Sequence, residues 1–350
     1  MLMRPLLLLL TLLGPPSPGA GKPGPAAELL EKGTELFKQG DTAGALKAFD
    51  AAAKADPADA RPAYLRGVAL EKKGDAAGAE AAYRKAIALK TDFAEAHNNL
   101  GSLLQAKGNA ADAARAFEAA LKARPSYPEA AFNLGVARDA EGKQAEAVAA
   151  YREAVRQKPT DPAYRMNLGV ALRKQGDVPG ALAAVREAAR LAPKDPLVWT
   201  NLGMIQSDQK DYDAAADSLD KAVKLKPEAA LAWNRLGRVE LRRKHIDRAV
   251  EAAERARKLE PKNAAFGADL CHALIEKQDT TRAVAECRAA VANDSKNALA
   301  LYELGKALVA QGNCAEAKKE FERFAALPGV KPEAKAQAAT IAKSCAKAKP

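Results

Sequence analysis

Four asparagines stand 34 residues apart, Asn99, Asn133, Asn167 and Asn201, each inside the string Asn-Leu-Gly. An amide side chain carries both donors and an acceptor, so a regular ladder of them can hydrogen-bond the backbone of an extended peptide whatever its sequence. The alternative is an ordinary solvated face. Further on, Arg235, Arg238 and Arg242 fall three and four residues apart, the spacing of one helical face. Like charges so placed repel one another, and guanidinium forks grip carboxylates or phosphates. The chemistry on offer is capture of an acidic segment or another polyanion, with pairing to Asp269, Glu276 or neighbouring acids as the internal alternative. Phe132, Val136, Met166, Val170 and Met204 lie among the asparagines and suit either a ligand's apolar side chains or packing between repeats.

None of this is catalytic chemistry. The chain shows no phosphate-binding loop, Ser/His/Asp arrangement or paired-carboxylate site, so no enzyme activity and no cofactor are expected. The histidines are His97, His245 and His272, and His272 beside Cys271 lacks further ligands at usable offsets, so no metal site is expected either.

What must position these side chains is a 34-residue pattern that runs in register from Ala26 to Lys331, nine times without an insertion. With Ala26 as position 1, position 20 is alanine in every copy from Ala45 to Ala317, position 8 is glycine except at Cys271, and position 27 is alanine except at Phe324. Small residues at fixed offsets let two antiparallel helices approach closely, so each copy reads as a helical hairpin. Gly40-Asp41, Gly74-Asp75, Gly108-Asn109, Gly176-Asp177 and Gly312-Asn313 mark the turn, where glycine takes a left-handed conformation and the next side chain caps the second helix. Proline at position 32, present in six copies, is expected to stop that second helix. Aromatics at position 24 (Phe49, Tyr83, Phe117, Tyr151 and Phe321) fill the interior, and departures cluster in copy eight at Gly267, Cys271 and Ser295.

This spacing resembles the tetratricopeptide repeat, whose signature runs W-x2-L-G-x2-Y, then A-x3-F, then P. Trp199-Leu202-Gly203 and Trp233-Leu236-Gly237 match its first half, and Ala113-Phe117-Pro125 and Ala147-Tyr151-Pro159 its second. The resemblance implies an all-α fold, a right-handed superhelix or α-solenoid of nine helical hairpins with a C-terminal capping helix. Its units would be 26–59, 60–93, 94–127, 128–161, 162–195, 196–229, 230–263, 264–297 and 298–331, with the cap and a basic tail at 332–350. It further implies that first helices line a concave groove through positions 2, 5, 6, 9, 12 and 13. The asparagines occupy position 6, and Arg235, Arg238 and Arg242 occupy positions 6, 9 and 13. The arginines do not match the family's carboxylate clamp, which needs Lys and Asn at set positions of three adjacent units, so chaperone binding is not implied.

At the N-terminus Arg4 precedes an apolar run from Leu6 to Leu13, followed by Gly14-Pro15-Pro16-Ser17-Pro18-Gly19-Ala20-Gly21. These are the parts of a secretory signal peptide, read as residues 1–21 with a linker at 22–25. The run is shorter than the roughly 20 apolar residues of a membrane span, so no transmembrane segment is expected. Export, to a periplasm or the extracellular space, bears on the cysteines. In a hairpin that turns near position 16, positions that sum to about 32 are level, and Cys271 and Cys287 sit at positions 8 and 24. Cys314 opens one helix and Cys345 closes another, read from Glu333 to about Ala346, at similar distances from the turn at 328–332. Two disulfides, Cys271–Cys287 and Cys314–Cys345, follow in an oxidising compartment, whereas buried free thiols would follow in a reducing one.

The formal net charge is +11, with lysines gathered at the end, which favours acidic partners or an anionic surface. Aromatics are not interleaved with the basic residues, so no specific nucleic-acid binding is indicated. The reading is a non-catalytic interaction scaffold of the cell envelope or secreted space that binds an extended, acidic peptide segment in the groove. A spacer or assembly factor acting through its convex face or ends is the second reading, and an accessory subunit of a separate enzyme the third.

Overall fold

The structure, a computed structural model, describes residues 24–347, and the proposed signal segment lies outside the described residues. Among these the fold is all-α, with nineteen helices and no strand. They group into two compact units that divide between Gln175 and Gly176. In the first, α1 (Pro25–Lys38) packs on α2 (Thr42–Ala55), α3 (Ala60–Lys73) on α4 (Ala76–Leu89), α5 (Ala94–Ala106) on α6 (Ala110–Ala123) and α7 (Pro128–Ala140) on α8 (Gln144–Gln157), and α9 (Pro162–Gln175) follows. The second begins with α10 (Val178–Leu191). Four hairpins follow: α11 (Pro196–Asp208) on α12 (Tyr212–Leu225), α13 (Ala230–Arg242) on α14 (Ile246–Leu259), α15 (Ala264–Glu276) on α16 (Thr280–Asn293), and α17 (Ala298–Ala310) on α18 (Cys314–Ala326). The last helix, α19 (Pro332–Lys347), packs on α18 and α17. No helix of the described residues is long and apolar enough to cross a membrane.

The repeated small residues are the contact surfaces of the hairpins. Every position-20 alanine from Ala45 to Ala317 has no exposed surface. A Cβ placed on Gly33, Gly67, Gly101, Gly135 or Gly305 would come within 2.5–2.6 Å of the ring of Phe49, Tyr83, Phe117, Tyr151 or Phe321. In these five copies position 8 is glycine because the ring from position 24 lies on its backbone, while a Cβ on Gly203 would meet Leu219 at 2.6 Å and one on Gly237 the Ala249 carbonyl at 3.1 Å. Copy eight solves the same contact covalently: Cys271 and Cys287 occupy those two positions and form a disulfide with Cα atoms 5.4 Å apart. Cys314 and Cys345 form the second, with Cα atoms 5.5 Å apart, and fasten α19 to α18. Both pairings are those expected for an oxidising compartment, the first from level positions of the hairpin and the second from similar distances to the turn at 328–332.

Three details differ from expectation. Pro25 is the first residue of α1 rather than the end of a linker, since its missing N–H is one that a first helical turn leaves unbonded anyway. The turn residue at position 15 is left-handed even without glycine: Lys210, Lys244 and Gln278 have φ of 64°, 62° and 65°, close to the 77–90° of the hairpin-turn glycines. Proline is also unnecessary for ending the second helix. α4 and α16 stop at Leu89 and Asn293 although Thr91 and Ser295 replace it, because Lys90 and Asp294 turn extended at φ −140° and −146°.

Candidate peptide-binding face

The four asparagines lie half-buried on first helices, three in the first unit and Asn201 in the second. Each amide already donates within the chain. Asn99 Nδ2 donates to Tyr64 Oη at 3.2 Å and Tyr83 Oη at 3.5 Å, and Asn133 Nδ2 donates to Asn98 Oδ1 at 3.1 Å. Tyr64 and Asn98 are the position-5 residues of the preceding repeats, so these bonds tie one repeat to the next. Phe132 holds that position before Asn167 and offers no acceptor; Asn167 turns to its own helix and donates to the Ala163 carbonyl at 2.8 Å. Asn201 does the same to Leu197 at 2.9 Å. The carbonyl oxygens of Asn133, Asn167 and Asn201 accept no hydrogen bond from the described residues, so each keeps an acceptor for a ligand N–H. Phe132 stacks on Tyr164 at 4.9 Å and tilts against Tyr151 at 5.7 Å, which commits its ring to packing between repeats. Val136, Met166, Val170 and Met204 are half-buried.

In the second unit, Arg238 and Arg242 are exposed on α13 and make no ion pair with the described residues, while Arg235 is half-buried beside them. The two acids nearby, Glu240 and Asp269, are bonded mainly by other groups. Glu240, with no exposed surface, is contacted by Arg243 Nη1 at 3.1 Å, Arg248 Nη1 at 2.8 Å and His245 Nδ1 at 2.9 Å. Asp269, expected from the sequence with Glu276 as an internal partner of the arginines, accepts a hydrogen bond from Asn234 Nδ2 at 2.7 Å. Burial pushes its carboxyl above the usual carboxylate range, and the Asn234 bond with the charges of Arg238, Arg235 and His272 draws it back only in part. One partly compensating acid therefore faces the cluster, and the arginine face keeps capacity for an outside carboxylate.

A further basic pair was missed in the sequence reading. His272 and Lys306 follow Arg238 at position 9 of the next two repeats, whereas earlier repeats carry Val68, Ser102, Val136, Val170 and Met204 there. Lys306 Nζ lies 3.0 Å from Glu303 Oε2 and 3.3 Å from His272 Nδ1, and His272 Nδ1 lies 3.1 Å from the same carboxylate oxygen. Burial works to raise the pKa of Glu303, but His272 and Lys306 outweigh it and hold the group below the usual range. The row shows in the sequence only at position 9 of successive repeats, because no local motif joins residues 34 apart.

Among the described residues no group of three or more His, Cys, Asp or Glu side chains could hold a metal ion. The sequence profile described as Tetratricopeptide repeat matches residues 30–92, 98–162, 145–196, 200–264, 242–298 and 268–330. None of the curated proteins is detectably similar in sequence. Among solved structures, a tetratricopeptide repeat protein from Parabacteroides merdae is similar with a TM-score of 0.59 at 17% identity, over 71% of this chain and 98% of that one. Pseudomonas aeruginosa pilF gives 0.52 at 20% identity, over 59% and 94%. YrrB, described as a TPR protein with an unusual peptide-binding site, gives 0.50 at 24% identity, over 53% and 96%. At these identities the likeness establishes the fold alone.

Proposed function

Because this chain belongs to the tetratricopeptide repeat family, we propose that it is a non-catalytic scaffold that binds an extended, acidic peptide segment along the face of its first helices. The observation that carries the reading is the pair Arg238 and Arg242, exposed, like-charged and without an internal ion-pair partner among the described residues. Asn201 of the same unit keeps a free acceptor that adds a sequence-independent contact to a ligand backbone, and the first unit, by itself, keeps such acceptors at Asn133 and Asn167. The peptide-binding site of YrrB supports a peptide as the ligand class. The nine-copy frame is our count, and we propose export of the chain on the strength of its first 21 residues and its two disulfides.

The test is a comparison of charge reversals. Arg238→Glu should weaken binding of an acidic peptide more than Lys258→Glu on the exposed side of α14, and the wild-type affinity should fall steeply with salt, since exposed charges act over about 8 Å at physiological ionic strength. Equal losses at the two positions would reduce the interaction to net charge. A second reading, assembly through the outer edge, is favoured by Leu197, Leu225, Leu231 and Leu259, exposed by 51%, 42%, 43% and 39% at the ends of consecutive helices.

A further inference from the structure

Repeats 230–263, 264–297 and 298–331 share a pattern that the earlier repeats lack. Position 9 is basic in all three (Arg238, His272, Lys306), and position 12, one helical turn on, is aliphatic in all three (Leu241, Ile275, Val309). In the six earlier repeats position 12 is Phe37, Glu71, Gln105, Asp139, Arg173 and Ser207. Leu241, Ile275 and Val309 are half-buried, so each presents part of an apolar side chain beside the basic row. Side chains link each first helix to the next: Asn234 to Asp269 at 2.7 Å between α13 and α15, and Lys306 to His272 at 3.3 Å between α15 and α17. A ligand that follows the row therefore crosses one helix after another.

Resting on the peptide-binding reading above, we propose that the second unit reads an extended segment in the polyproline II conformation whose acidic residues stand three apart, with aliphatic residues between them. Packed helices lie about 8–10 Å apart. A polyproline II segment, the extended form with three residues per turn, advances about 3.1 Å per residue, so residues three apart share a face, span about 9 Å and bring successive carboxylates over successive helices; in a β-extended segment they would point to opposite faces. A helical ligand advances about 1.5 Å per residue and would need acids about seven apart. The first carboxylate meets Arg238 and Arg242, and the next meets Lys306 with His272. Lys306 shares its charge with Glu303, so the arginine end is the stronger contact. The intervening aliphatic side chains lie against Leu241, Ile275 and Val309.

The experiment uses the full oxidised protein and fluorescently labelled peptides of about twelve residues, identical in composition and charge, built from Glu, Val and Ser. They differ only in order, with glutamates every third residue, every second residue or in one block, and a Gln-for-Glu version of the first serves as the uncharged control. Anisotropy titration should find the every-third peptide about tenfold tighter than the block isomer. Arg238→Gln and Arg242→Gln, both at exposed positions, should each cut that preference several-fold, and Lys306→Gln, checked for retained helicity, should do so less. Equal affinity for all three acidic orders would overturn the spacing while leaving peptide binding intact. Equal affinity for the uncharged control would overturn the basic row as a reader of acids. Failure of every peptide to bind would overturn the peptide-binding reading itself, and the spacing with it.

Discussion

At the scale of the residue, the repeat is written in two close contacts. The ring of Phe117 lies against Gly101, where a Cβ would come within 2.6 Å of it. Gly101→Ala must displace a fully packed ring, and we expect a loss of about 1–3 kcal/mol, read by urea denaturation. The second contact is the turn. Lys210 holds a φ of 64° that an L side chain takes at a cost, and Lys210→Gly should stabilise the protein by roughly 1 kcal/mol, seen as a raised melting temperature. Glu303 gives the pH dependence. Its folded pKa is depressed, so its contribution is present above the unfolded carboxylate value and is lost as pH falls through the folded one. Glu303→Gln should flatten stability against pH in that acidic window and leave the slope above it unchanged.

The hairpin is the element, and most of it was legible in the sequence because spacing alone dictates it. Level positions across a turn placed Cys271 opposite Cys287, and the structure joins them. The left-handed turns at Lys210, Lys244 and Gln278 were not legible, because the glycine signal is absent where the backbone geometry persists. Nor was the fate of the asparagines. Whether each amide bonds the neighbouring repeat or its own helix depends on a residue 35 positions away, Tyr64 for Asn99 and Asn98 for Asn133, which no local motif reports. Two expectations follow for the bridges. Cys271→Gly with Cys287→Phe should restore the glycine–ring contact and leave the hairpin folded under reducing conditions. Cys314→Ser with Cys345→Ser should release α19, so that its amides exchange faster while those of α11 to α14 do not; the chain-entropy estimate for such a bridge is about 3–4 kcal/mol.

At the scale of the whole molecule, the two units carry different surfaces. The first ties Asn99 and Asn133 into bonds between repeats, turns Asn167 to its own helix and leaves amide acceptors on Asn133 and Asn167, while the second gathers Arg238, Arg242, His272 and Lys306 beside an aliphatic row. A net charge of +11 attracts any polyanion, so affinity alone does not locate a ligand, and the exposed leucines at the helix ends offer a rival surface. The most direct measurement is therefore positional. A benzophenone-bearing acidic peptide should be photo-crosslinked to the oxidised protein and the adducts mapped by mass spectrometry. Adducts are expected on α13, α15 and α17, near Leu241, Ile275 and Val309. Adducts confined to α12, α14 and α16, around Leu225 and Leu259, would contradict peptide binding there.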